Sequence, residues 1–244
     1  MNTHHNGFTG GRAVTALLCA LSFTLLSGCA SRGAKPVDAT PVTQIMVLPV
    51  APIKKLFTEN KGVPIGVLWQ GIADRSKSTT FTESMEATRN SMALALTNAL
   101  LKDLKAQGFD AQLLEGVARP PASPDDIDYP KLPTTQPVLH VYFEEVGMYS
   151  SRFSLDYIPR VNVTAYLVRP QSEESIYNET IYYGADARGD SHKSIPADLR
   201  YKWPSFDALI EQPKAVSDAY GAAVTAIASK IAVNVRVTAP AGKK

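Results

Sequence analysis

Two alternating runs joined by a four-residue polar link place the tightest constraint on how this chain folds. In Arg160–Arg169, the residues Val161, Val163, Ala165 and Leu167 fall on one side of an extended chain. After Gln171-Ser172-Glu173-Glu174, Ser175–Gly184 forms a return run. Side chains repeat every second residue along a strand, and so short a link between two such runs reads as an antiparallel hairpin. Val138–Val146 alternates as well, with Leu139, Val141 and Phe143 on one face and His140, Tyr142 and Glu144 on the other. Ile45–Val50 is apolar on both faces, the mark of a central strand, and Phe109–Leu114 reads as a further short strand.

Helical periodicity supplies the cover for this sheet. Met85, Met92, Leu96, Leu100 and Leu104 form one stripe over residues 81–107, with Thr80 and Glu83, or Thr82, as starting caps and Gly108 as the stop. A second helix starts near Pro213, whose fixed φ suits a first helical position, and runs to about Asn234. Its stripe is Val216, Tyr220, Val224, Ile227 and Ile231. Residues 52–80, interrupted by Gly62, Pro64, Gly66 and Gly71, read as an ordered loop or short hairpin; the alternative is an exposed apolar lip carrying Trp69. Residues 119–137 and 185–204 read as long surface connections. Asp125, Asp126 and Asp128 lack the spacing of a calcium loop. The expected fold is α/β: one mixed sheet of about five strands against two main helices, spanning 44–237, with a disordered tail over 238–244.

Ahead of this body, Arg12 is the only formal charge before Cys29, and residues 13–26 are apolar or small. That order is the grammar of a secretory leader, here residues 1–28, and its apolar run is too short to span a bilayer comfortably. Its ending, Leu26-Ser27-Gly28-Cys29, resembles the lipobox of bacterial lipoproteins. The resemblance implies cleavage between Gly28 and Cys29 and acylation of Cys29, a two-signal lipid anchor that holds stably. Ala30, rather than an aspartate, follows the cysteine, which in that family implies the outer membrane, with the body facing the periplasm. Residues 29–43, small and polar with Pro36 and Pro41, then read as a flexible tether.

Several function classes fall away. The net charge is only +2, so no basic field is present to hold nucleic acid. The chain has two cysteines; on the lipobox resemblance Cys19 would leave with the leader and Cys29 would be acylated, which implies no disulfide, thiol nucleophile or cysteine metal site in the mature chain. No nucleophile elbow, P-loop, Rossmann fingerprint or zinc-protease motif occurs. No catalytic residue, cofactor or metal is therefore expected. The enzymatic alternative, a periplasmic hydrolase or metal-binding enzyme, centres on His140 beside Glu144 and requires a third polar group converging on His140. His192 lies in a polar loop, where solvation accounts for its acidic neighbours. Tyrosines cluster in the second half of the chain, and the candidate partner-binding residues are Trp69, Tyr142, Tyr166, Tyr182 and Trp203.

The body also resembles a group of envelope lipoproteins: the periplasmic domain of curli-secretion-channel lipoproteins and their relatives, which include penicillin-binding-protein activators, the Pel export lipoprotein and the TolB amino-terminal domain. Ile45-Met46-Val47-Leu48-Pro49, the 81–107 helix, Val138–Val146 and the paired runs Val163–Val168 and Glu174–Tyr177 carry the resemblance. It implies a non-enzymatic binding or assembly factor of an envelope complex for secretion, polysaccharide export or cell-wall synthesis. The implied partners are the membrane, through the lipid, and an envelope protein, with assembly into a homo-oligomeric ring as an open alternative.

Overall fold

The alternating runs become one mixed sheet in a computed structural model, which describes residues 40–60, 67–150, 154 and 156–239. Its strands are β1 (Gln44–Val47), β2 (Phe57–Asn60), β3 (Asp110–Leu113), β4 (Val138–Ser150), β5 (Ile158–Arg169), β6 (Glu174–Gly184) and β7 (Ser194–Ile195). The spatial order is β3-β1-β4-β5-β6-β7, and β2 pairs with the far end of β4. The expected hairpin is β5–β6, antiparallel from Arg169–Glu174 to Arg160–Gly184, with its turn closed by Glu173 at φ 55°. Ile45–Val50 does supply an interior strand, since β1 runs parallel to both β3 and β4. The short strands β2 and β7 carry too few alternating residues to stand out in the sequence.

Among the described residues, four α-helices accompany the sheet: α1 (Val67–Ser84), α2 (Glu86–Ala106), α3 (Phe206–Ile210) and α4 (Pro213–Thr238). The stripes of α2 and α4 are buried, and the two helices pack on each other and on one face of the sheet. There they meet Ile45, Val47, Leu139, Val141, Val161, Val163, Ala165, Leu167 and Ile181 in one core. At the end of α2, Gly108 adopts φ +89° and Phe109 N donates to Leu104 O, which stops the helix as its sequence position implies.

The helix expected over 81–107 is the second part of a longer helical stretch, and residues 67–80, read as loop or hairpin, belong to α1. The stretch breaks at Met85, where the Ser84 hydroxyl donates back to Phe81 O. Thr80 and Thr82 lie inside α1 and do not cap: their hydroxyls donate to Ser76 O and Ser78 O, one turn back. Thr82 Oγ1 also accepts from Leu56 N, and Ser78 Oγ accepts from Thr58 N. Helix hydroxyls thus serve residues 56–58 as a neighbouring strand would. Gly147 makes room on the other side, because a Cβ there would lie 2.0 Å from Phe57 O.

Two boundaries shift. Residues 40–43, read as part of the tether, belong to the body: Val42 is buried, Arg169 Nη2 donates to Thr40 O at 2.6 Å, and Asp110 N donates to Thr43 O. At the other end, α4 runs to Thr238 and Ala239 is buried, so the body extends past the expected start of the tail. Gly28 and Cys29 lie outside the described residues. No helix among the described residues is long and apolar enough to cross a membrane.

Candidate functional site

The helices cover one face of the sheet, and the other face is divided in two. Over its β3–β1–β4 end, residues 115–137 form a strap. Leu132 of the strap packs with Leu48, Leu114 and Val138, and Val117, Ile127 and Tyr129 pack around them. Arg119 ties the strap down by donating to Pro124 O at 2.6 Å and to Pro49 O. Burial lowers the Arg119 pKa from its ordinary value, and Asp125, 3.5 Å away, opposes that shift.

Under the strap lies His140, only 1% exposed. Its Nδ1 is 2.9 Å from the Tyr129 hydroxyl, and Asp125 Oδ1 stands 3.9 Å from its Nε2. Burial, with the Tyr166 charge next, pushes the Tyr129 pKa up to about 12. The polar neighbour that an enzymatic His140 requires is therefore present, in a place closed to solvent. The Tyr129 contact makes His140 a link between the strap and the sheet. No group of three or more His, Cys, Asp or Glu placed to hold a metal occurs among the described residues.

Beyond the strap the face is open. Tyr142 and Tyr166 stack at 6.2 Å between centroids with 18° between planes, and His140 continues the row 5.5 Å from Tyr142. Burial, then hydrogen bonding to Tyr166 and charge, then Glu144, raise the Tyr142 pKa above the tyrosine range. Tyr182, on β6 of the same face, is 37% exposed. The structure thus brings Tyr142, Tyr166 and Tyr182 onto one surface. Trp203 does not join them: it is 2% exposed and bridges to Tyr157 through reciprocal backbone bonds, so it is a core residue. Trp69 falls in α1, and its side chain lies outside the described residues.

The feature that alternation alone missed is a β-bulge between Phe143 and Glu145. In a regular strand two consecutive glutamates point to opposite faces; the extra residue lets both Glu144 and Glu145 face the open side. With Phe57, Asn162, Thr180 and Tyr182 they line a basin of about 430 Å³. Glu145, Asn162 and Tyr182 stand side by side across β4, β5 and β6. At the basin's edge, Arg160 binds Asp186 at 2.6 Å and Glu145 at 2.8 Å, with its guanidinium over the Tyr149 ring. Burial works against that cation, but bonding and charge from Asp186, then Glu145 and Glu59, outweigh it and raise its pKa. The sequence did carry a signal for the bulge: the apolar positions Leu139, Val141 and Phe143 change phase to Val146 and Met148 across the paired glutamates.

The loop 185–204 is pinned to the helix side. His192 Nε2 is 2.7 Å from Glu179 Oε1, and Asn234 of α4 donates to Glu179 Oε2 and to His192 O.

Neither a protein-family model nor a curated protein sequence matches the chain. The solved structures that match the chain include the following three. One is a protein of the DUF330 family from Xanthomonas campestris, with a TM-score of 0.41, 8% identity, and coverage of 82% of this chain and 88% of that one. The second, from Helicobacter pylori, is described as a homologue of a neuraminyllactose-binding hemagglutinin; the TM-score is 0.30 at 15% identity, over 80% of this chain and 82% of that one. The third is a protein from Chlamydia trachomatis, with a TM-score of 0.31 and 14% identity over 74% of this chain and 97% of that one. At these values the likenesses carry no function across.

Proposed function

We propose that this chain is a lipid-anchored, non-catalytic binding or assembly factor of a bacterial envelope complex. In this reading it is acylated at Cys29 and faces the periplasm from the outer membrane. The lipobox-like Leu26-Ser27-Gly28-Cys29 supports the address, and the resemblance to envelope lipoproteins supports the kind of role. The observation that carries the binding role is the one-sided cover of the sheet. Helices bury one face, and part of the other presents Tyr142, Tyr166 and Tyr182 beside a polar basin. Amphipathic aromatics on an accessible surface are the residues that protein interfaces enrich.

The test has two arms. Mass spectrometry of the chain from bacterial membranes finds a diacylglyceryl group on Cys29 and no leader, and Cys29→Ser retains the leader. Crosslinking in intact membranes then captures a defined envelope protein with the wild-type chain and loses it in Tyr142→Ala/Tyr182→Ala. A bare Cys29 thiol refutes the address; capture unchanged by the tyrosine substitutions refutes the face.

A further inference from the structure

We infer that the basin beside the β4 bulge is a recognition site for an organic cation, a guanidinium or primary ammonium group. The inference deepens the binding role proposed above and rests on it only for the identity of the carrier.

Thr164 Oγ1 lies 2.8 Å from Glu144 Oε1 and 2.7 Å from Thr180 Oγ1. An ionised carboxylate only accepts, so the single Thr164 proton goes to Glu144 and Thr180 must donate to Thr164. That leaves the Thr180 oxygen with lone pairs alone to offer the basin. Asn162 is 6% exposed, and its Nδ2 donates to Asp186 Oδ2 at 2.6 Å, which fixes the orientation of the amide. Its Oδ1, on the other branch, is buried with no hydrogen-bond partner. A buried acceptor left unpaired is costly, and one kept beside the wall of a cavity marks where a small shift of the Asn162 side chain would let an arriving donor offset that cost. Glu144 adds a carboxylate that takes part in no ion pair among the described residues.

Two acceptors, the Glu144 carboxylate and the Thr180 hydroxyl oxygen, thus stand at one basin, and the unpaired Asn162 carbonyl lies buried beside it. Glu145 lines it too, held by Arg160. Tyr182 supplies an accessible ring of the kind that attracts a cation to its face. Phe57, with Lys55 Nζ already 5.1 Å from its centroid, closes another side as an apolar wall. A site of this kind takes a charge that carries several N–H donors and a short apolar stem. A hard metal ion fits it less well, because aromatic walls give such an ion no ligands.

The experiment titrates the full chain, in an uncharged detergent, with N-acetyl-arginine amide, N-acetyl-lysine amide, spermidine, N-acetyl-norleucine amide and calcium chloride, read by saturation-transfer NMR. Saturable binding of the cationic probes is expected, with none for the norleucine analogue. Glu144→Gln weakens it at least about tenfold, the loss of one charged hydrogen bond. Tyr182→Ala weakens it roughly two- to fivefold, the size of an exposed cation–π contact. Glu211→Gln, the same charge change outside the basin, leaves it unaltered. Preference for the amino-acid amides assigns the cation to a partner's side chain, and preference for spermidine assigns it to a free polyamine. Absence of saturable binding, equal losses in Glu144→Gln and Glu211→Gln, or tighter binding of calcium overturns the inference. None of these results depends on where the chain resides or on what crosslinks to it, so failure here is distinct from failure of the anchored binding role.

Discussion

Tyr220→Phe is a one-atom test of how the core is built. Tyr220 sits on the buried stripe of α4, is 0% exposed, and its hydroxyl has no hydrogen-bond partner. Burying a hydroxyl without a partner costs about 1–3 kcal/mol. Phenylalanine keeps the ring and its packing and removes that cost, so the variant is more stable by about 1 kcal/mol, or roughly 2–4 °C in Tm for a body of this size. A second readout comes from alkali. Burial raises the Tyr220 pKa well above its ordinary value, so the folded chain keeps this proton at a pH where the unfolded chain loses it. The stability tied to that proton is fully present below about pH 10, the unfolded tyrosine value, and is lost as pH rises above it. Each such tyrosine contributes a slope of about 1.4 kcal/mol per pH unit above that point. Guanidinium unfolding at pH 7, 10 and 11 measures both quantities. Tyr220→Phe should raise the midpoint at pH 7 and flatten the alkaline fall by one tyrosine's share. A loss of 1 kcal/mol or more at pH 7, or an unchanged alkaline slope, refutes the description of Tyr220 as a buried, unpartnered phenol.

Two further substitutions probe the elements that frame the site. Gly147→Ala puts a Cβ 2.0 Å from Phe57 O and forces β2 away from β4. It should cost about 1–3 kcal/mol and speed hydrogen exchange at residues 57–60, and unchanged exchange there counts against the close approach. Tyr129→Phe leaves the buried His140 Nδ1 without its partner, at about 1–3 kcal/mol, and should make residues 119–137 cleave faster in limited proteolysis. Cleavage at the wild-type rate argues that His140 does not hold the strap.

What the sequence disclosed follows the strength of each periodic signal. The β5–β6 hairpin and the stripes of α2 and α4 were legible because the periodic positions Val161, Val163, Ala165 and Leu167, like those of both helix stripes, are buried in the same core. α1 was not: Ser76, Ser78, Thr79, Thr80 and Thr82 are weak helix formers, and the helix gains support from hydroxyl bonds to residues 56–58 that no local pattern reveals. The open-face tyrosines were legible as amphipathic residues on alternating strands. The basin was harder to see, because it depends on one inserted residue at Glu144 and on Asn162, whose unpaired oxygen is a property of three-dimensional neighbours. Trp203 shows the converse: in a polar stretch it reads as exposed, yet a two-bond bridge to Tyr157 folds it inward.

The hold of Arg169 on Thr40 fixes where tension enters this body. Arg169 ends β5 and Asn162 lies near its beginning, so about 23 Å of strand separates the two at about 3.3 Å per residue. A pull on the amino-terminal side loads the Arg169 end and the start of β1, while the basin rides at the opposite end of the same strand. Strand β5 thus holds the entry of the chain at one end and the polar basin near the other, so strain applied at Thr40 reaches the basin only through the ladders that tie β5 to β4 and β6.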